Sequence, residues 1–426
     1  MLDFTPLGLA ILISLFLLWN LELVATLKNL AAYPAKVPPE LLGIIDEPGL
    51  ERTKAYGAAN ARLHLIQQST SLLVLLAFWI AGGFQWLDAF ARSMFPDPLL
   101  SGVSFLALLF LAQSVIALPF DLISTFRIEK EFGFNRTNPA TFVMDRVKGT
   151  LLAALIGLPL TWLVLWIFSN VGHAWFWAWA VVALFQVVLM FVAPTWIMPL
   201  FNKFTPMADG PLKDAIRSLG DRCGFPLEGV SVMDGSKRST KANAFFTGFG
   251  KHRKIALFDT LIEKSSRDEI LGVLAHEIGH FRKGHIRQRL LIGLLQMAVI
   301  FFLLGLAVKA DGAFSKALFE AFGVRQPSPH VGIVLFSILM EPVGRVLGVP
   351  SHAWSRRHEF EADAYAVAAT GDGTPLASAL KKLTADQLSH PCPSKLRVWL
   401  DYSHPPLIQR ISAINALSSA GANLKG

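Results

Sequence analysis

Residues 276–308 read HEIGHFRKGHIRQRLLIGLLQMAVIFFLLGLAV: an H-E-x-x-H motif, a short basic stretch, and an uncharged apolar run over 290–308. On a helix, positions i and i+4 share a face, so His276 and His280 reach one zinc ion while Glu277 points at the water that zinc activates. The run that follows extends roughly 28 Å at 1.5 Å per residue, close to the hydrocarbon thickness of a bilayer. A metal-site helix joined to a membrane span therefore sets the terms for the rest of the chain.

Six more apolar runs of near-spanning length lie at about 7–23, 71–87, 99–118, 151–168, 175–192 and 331–349, which makes seven spans the simplest count. The second is interrupted by Gly82 and Gly83, with Gln85 near its end. The first lacks a basic leader and is long for a signal peptide, so it reads as a retained helix. With 53% hydrophobic and 16% charged residues among 426, the composition excludes an ordinary soluble enzyme and makes the lipid bilayer a partner. The net charge of +8 is spread through loops beside the spans, which fits membrane topology better than nucleic-acid binding. Cys223 and Cys392 form no disulfide framework and read as free buried thiols.

Basic residues alternate by loop. Lys28, Lys36, Arg52, Lys54 and Arg62 follow the first span, only Arg92 follows the second, and Arg127, Lys130, Arg136, Arg146 and Lys148 follow the third. The amino terminus is then outside and the basic segment over 200–288 is cytosolic. The chain divides into five spans over 1–199, a cytosolic metalloprotease segment over 200–288, a membrane hairpin over 289–350 and a cytosolic tail over 351–426.

This topology bears on the third metal ligand. The metzincin spacing needs Gly at 283 and His at 286, but the sequence has Lys283 and Ile286, with Gly284 and His285 displaced by one. A later carboxylate is the other solution, and HEFEAD over 358–363 supplies it. Glu359 and Asp363 share a helix face, whereas Glu361 points about 200° away. Spans six and seven form a hairpin that leaves the cytosolic side after His280 and returns before Glu359. Glu359 is the expected ligand, and Asp363 is expected to hold the N–H of a ligating histidine. Without that topology, two packing histidines and an acidic exposed face fit the same residues.

SRDE over 266–269 is a capping-box pattern that predicts the motif helix over 266–282. β-prone runs at 230–233, 242–247 and 254–259 predict a small sheet before it, with Asn243 and Ala244 fitting either an edge that holds substrate as an added strand or an ordinary hairpin. Near the carboxyl terminus His404-Pro405-Pro406 opens a last helix that Ser403 is placed to cap; His404 and Arg410 fit either a plain helix start or stabilisation of an oxyanion. Within the spans Asn20, Glu22, Gln113, Asp121, Gln186, Gln296 and the pair Glu341–Arg345 are costly in lipid and are expected to face inward, either paired or lining a hydrated cavity.

Several segments together resemble the type-1 CAAX prenyl proteases, integral-membrane zinc endopeptidases: EKEFGFNRT (129–137), PLFNKFTP (199–206), NAFFTG (243–248), HEIGH (276–280), EFEAD (359–363) and HPPL (404–407). The resemblance implies a mainly α fold, with seven spans as a helical barrel around a water-filled chamber and a small cytosolic α+β domain. It implies one Zn2+ per chain on His276, His280 and Glu359, Glu277 as general base and Asp363 in support. Asn243, Ala244, His404 and Arg410 then fall at substrate or intermediate contacts. The implied substrate is a peptide or protein prenylated at a C-terminal cysteine, and the implied home is a bacterial inner membrane or the endoplasmic reticulum, with the site facing the cytosol. A quality-control protease for unprenylated membrane proteins is the rival enzyme reading, and a non-catalytic scaffold or transporter the rival from another class.

Overall fold

Among the described residues seven helices are long and apolar enough to cross a membrane: Pro6–Ala31, Glu47–Ile80, Pro98–Glu131, Pro139–Asn170, Ala174–Leu200, His285–Val308 and Pro329–Thr370. The computed structural model describes residues 5–225, 227–247, 254–309 and 311–423; Gly248 of the NAFFTG segment lies outside them. The helices touch in a ring, one to two, two to three and so on to seven, seven closes back onto one, and the seventh also reaches the third and fourth. In every span at most 22% of the most apolar window is buried. Seven helices in a solid bundle would bury far more, so the ring leaves both an outer and an inner face accessible.

The second span differs from its expected limits. It begins at Glu47 and stops at Ile80, because Gly82 takes a left-handed φ of 72° and Gly83–Met94 becomes a separate helix. That helix, a further one at Ala313–Ala321 and the adjoining span ends form a core at the end away from the motif. Trp79, fully buried, donates to the Ala321 carbonyl at 3.1 Å and stacks on Phe322 at 4.3 Å.

The expected Glu341–Arg345 pair is replaced by a wider network. Arg345 lies 3.1 Å from Glu22 and also binds Asp401, while Arg397 reaches Glu22 at 2.7 Å and Asp401 at 2.7 Å. A carboxylate on the first span is thus tied to the seventh and to the helix Lys395–Asp401, partners 323 or more residues away that sequence periodicity does not reveal. These groups line a cavity of about 710 Å³. Asp121 pairs with Arg146, and Gln113, Gln186 and Gln296 are accessible on the helix ring. Cys223 is buried as expected, and Cys392 is only partly so.

The segment after the fifth span folds as a four-stranded sheet, β1 Phe204–Pro206, β2 Gly229–Met233, β3 Ala244–Thr247 and β4 Lys254–Phe258, in the order β1-β2-β4-β3. β1 is too short to carry a period-2 signal and was not expected. β2 and β4 run parallel, and β3 lies antiparallel to β4 at the edge, in contact with the motif helix.

That helix spans Arg267–Arg282 under the reciprocal Ser266–Glu269 capping box. Ile270, Leu274, Ala275 and Ile278 point into a core with Ile216, Ile255, Leu257 and Ala366, which turns His276, Glu277 and His280 to the other face. Glu269 is buried and accepts from Ser378 at 2.6 Å and Lys382 at 2.9 Å. Burial alone raises its pKa; the bonds from Lys382, Ser378 and the Ser266 backbone outweigh it and hold the carboxyl below its usual range. A depressed pKa in the fold means stability that is complete above the ordinary carboxylate range and lost as pH falls through the lowered value. Glu269→Ala is expected to lower stability by about 2 kcal/mol at neutral pH. Glu269→Gln is expected to flatten the acid limb, as read by thermal unfolding in detergent from pH 7 to 4.

Candidate metal centre

Two glycines let the motif helix lie directly on its neighbours. A Cβ at Gly279 would sit 3.1 Å from the backbone of Ala362, and one at Gly272 would sit 3.0 Å from that of Leu376. This close approach brings the motif against the C-terminal half of the helix Pro329–Thr370 at Glu359 and Asp363. The hairpin reading is simplified by the structure: one unbroken 42-residue helix carries both the seventh span and these carboxylates.

The ligand atoms converge. His276 Nε2 and His280 Nε2 are 3.2 Å apart, and each lies 3.3 Å from a carboxylate oxygen of Glu359. His276 Nδ1 lies 2.8 Å from Asp363 Oδ1, which places its proton on Nδ1 and leaves a lone pair on Nε2. Glu359 is 2% exposed, and its Oε2 has no hydrogen-bond donor among the described residues. Lone pairs from two imidazoles and a carboxylate thus face one another in a buried space, an arrangement that repels itself unless a cation sits between them. The donor set fits a metal ion.

Around this centre Asp363 accepts two bonds from Arg410, at 2.8 Å from Nε and 2.6 Å from Nη2, and Arg410 Nη1 lies 3.7 Å from Glu359. Arg410 is therefore buried and committed to carboxylates, where a substrate contact was expected. Glu277 is half-buried and makes no hydrogen bond among the described residues; burial pushes its carboxyl above the usual range.

His404 is exposed, with Nε2 3.5 Å from Glu359 Oε1. Ser403 does not cap the last helix, Leu407–Asn423; its hydroxyl lies 3.0 Å from His404 Nδ1, and Pro406 precedes the first turn. Arg356, one turn before Glu359, donates to the carbonyls of Val398 at 2.9 Å and Tyr402 at 2.7 Å and so draws the His404 loop to the centre.

Asn243 lies just before edge strand β3. Its side chain accepts from the Ala244 N–H at 2.8 Å, and its carbonyl accepts from Phe258 at 3.0 Å. Ala244 is buried against β4, whereas Asn243 is exposed.

Residues 26–203 match the family described as CAAX prenyl protease N-terminal, five membrane helices, and residues 206–418 match peptidase family M48. The chain belongs to the CAAX prenyl protease family of M48 metallopeptidases. Among its relatives are the CAAX prenyl protease 1 homolog of Arabidopsis thaliana, 33% identical over 89% of this chain and 90% of that protein. CAAX prenyl protease 1 of Saccharomyces cerevisiae is 34% identical over 91% of this chain and 90% of that protein. The crystal structure of S. mikatae Ste24p superposes with a TM-score of 0.89 at 32% identity, covering 96% of this chain and 99% of that one. This CAAX prenyl protease family member is a multi-pass membrane metalloprotease.

Several residues of this metalloprotease centre escaped the sequence reading. Arg289 Nη2 lies 3.8 Å from Glu359 Oε1, in a position that looked like the basic flank of a span. His285 is 1% exposed, and its Nδ1 lies 3.0 Å from His280 Nδ1. On a continuous helix, positions i and i+5 diverge by about 140°. Here Gly284, at φ 72°, ends the motif helix and folds His285 back beneath His280. The Gly284–His285 pair was the signal, and it was noticed only as a failed metzincin spacing.

Proposed function

We propose that this chain is a zinc endopeptidase that releases the C-terminal tripeptide beyond a prenylated cysteine, with His276, His280 and Glu359 as ligands and Glu277 as general base. The observation that carries the reading is the convergence of His276, His280 and Glu359, one ligand atom from each within 4.8 Å of the others, beside a half-buried carboxylate that makes no hydrogen bond among the described residues. Two imidazoles and one carboxylate that leave a position open are the donor set of catalytic zinc. When bound there, zinc supplies Lewis acidity that polarises a carbonyl and acidifies water. Glu277 takes a proton from the attacking water and returns it to the leaving amine nitrogen. His404 stands on the open side of Glu359, where its Nε2–H donates to the carbonyl oxygen as negative charge develops. Asp363 fixes the orientation of His276, and Arg410 fixes Asp363. Edge strand β3, with Asn243 and Ala244 at its start, offers main-chain hydrogen bonds to an extended peptide whatever its side chains.

The prenyl specificity is supported by the relatives, which are named CAAX prenyl proteases. The alternation of basic loops supports a cytosol-facing site in a bacterial inner membrane or the endoplasmic reticulum. We read 1–199 and 289–350 as membrane units and 200–288 with 351–426 as the two halves of the protease. Purified protein is expected to cleave a farnesylated C-terminal peptide at least tenfold faster than its unprenylated twin, measured by mass spectrometry of the released tripeptide. Equal rates would reject prenyl specificity and favour the quality-control reading.

A further inference from the structure

We propose that His285 is the positioning residue for His280: it accepts the N–H of His280 Nδ1 and donates its own N–H to Glu361, which aims the His280 Nε2 lone pair at the metal. The two motif histidines need the same service and obtain it differently. His276 has a carboxylate directly behind it, Asp363 at 2.8 Å. Behind His280 stands a second imidazole at 3.0 Å, and behind that a carboxylate, with His285 Nε2 3.1 Å from Glu361 Oε2.

The order of protons along this row is fixed by elimination. Were His285 to donate from Nδ1, His280 would carry its proton on Nε2 and have no lone pair for a metal. His285 Nε2 would also turn a lone pair toward Glu361, leaving two acceptors facing each other at 3.1 Å. With His280 donating from Nδ1 and His285 from Nε2, every contact in the row joins a donor to an acceptor. A hydrogen-bonded partner behind a ligating imidazole fixes both ring orientation and tautomer.

The surroundings hold the row in place. Gly284 turns the chain so that His285 opens the sixth span's helix, and the ring is 1% exposed. It stacks on His358 with centroids 3.9 Å apart and planes 6° from parallel, and Trp354 lies against His358 at 4.3 Å. Arg357 binds the other oxygen of Glu361 at 2.9 Å. Glu361, which points away from the ligand face of its own helix, therefore acts on the metal site through the neighbouring helix.

The proposal rests on the zinc reading, and the test separates the two. Zinc content and chelator-competition affinity are measured for the full-length protein, together with the visible spectrum after cobalt substitution. The wild-type protein must hold about one zinc; if it holds none, the zinc reading itself fails. His285→Leu and His285→Asn have nearly the same shape, but only Asn keeps an acceptor near the place of Nδ1. His285→Leu is expected to bind zinc 10–100-fold more weakly with a shifted cobalt spectrum, and His285→Asn to recover most of the affinity. Thermal unfolding of the metal-free proteins checks that both fold; if the Leu variant does not, His285→Phe, which keeps a ring on His358, replaces it. Zinc affinity and cobalt spectrum unchanged in the apolar variant would overturn the proposal. So would an Asn variant as weak as the apolar one.

Discussion

Glu277→Gln is expected to keep the metal and lower peptide cleavage by about 10³-fold. Gln matches Glu in shape, and Glu277 makes no hydrogen bond among the described residues, so the exchange breaks no contact in the fold. Its neighbours supply the reason for the loss. His276 and His280 turn their Nε2 atoms toward Glu359, and the backbone of the same helical turn carries Glu277 alongside them. An amide in that place neither accepts a proton from water nor delivers one to a leaving amine. Metal content stays because the ligand set is untouched. Two measurements decide the matter on one sample: zinc by elemental analysis and tripeptide release by chromatography. More than a tenth of wild-type cleavage with full zinc would remove Glu277 from the mechanism.

The motif helix, its capping box and the three residues proposed as ligands were legible because they depend on contacts within a few residues or on one helical face. Ser266 and Glu269 announce the helix start, and Glu359 and Asp363 at i, i+4 announce a shared face. The span ends were less legible. Apolar composition continues from Phe78 through Phe84, so only the left-handed turn at Gly82 shows that the helix stops at Ile80. The polar network on Glu22 was not legible, because Arg345 and Arg397 come from chain segments over 300 residues away and nothing local favours them over Glu341. For Arg410 the residue was found, but its carboxylate partners were not legible. A cation near a protease centre suggests substrate, and only the fold shows its Nε and Nη2 turned to Asp363 and its Nη1 toward Glu359. The same limit hid His285, whose position follows from a backbone reversal rather than from helical spacing.

Arg410→Met carries the largest expected effect on stability. The guanidinium is buried and makes a two-pronged contact with Asp363, itself 1% exposed, while a third nitrogen lies 3.7 Å from Glu359. Removing it leaves Asp363 as a buried charge without its partner, a change that costs about 3–5 kcal/mol. The loss should pass to the metal site, because Asp363 holds His276 Nδ1 and an unanchored carboxylate no longer fixes that ring. Arg410→Lys keeps the charge but not the fork, so it is expected to recover part of the stability and little of the metal affinity. The double variant Arg410→Met with Asp363→Asn distinguishes charge from geometry. With both charges gone, the penalty for an unpaired carboxylate disappears and unfolding is expected at a higher temperature than in Arg410→Met alone. Zinc affinity is expected to stay low, since neither the carboxylate behind His276 nor its anchor remains. Thermal unfolding in detergent and chelator competition read the two effects separately. A double variant less stable than Arg410→Met alone would show that the guanidinium matters for the space it fills rather than for the charge it offsets.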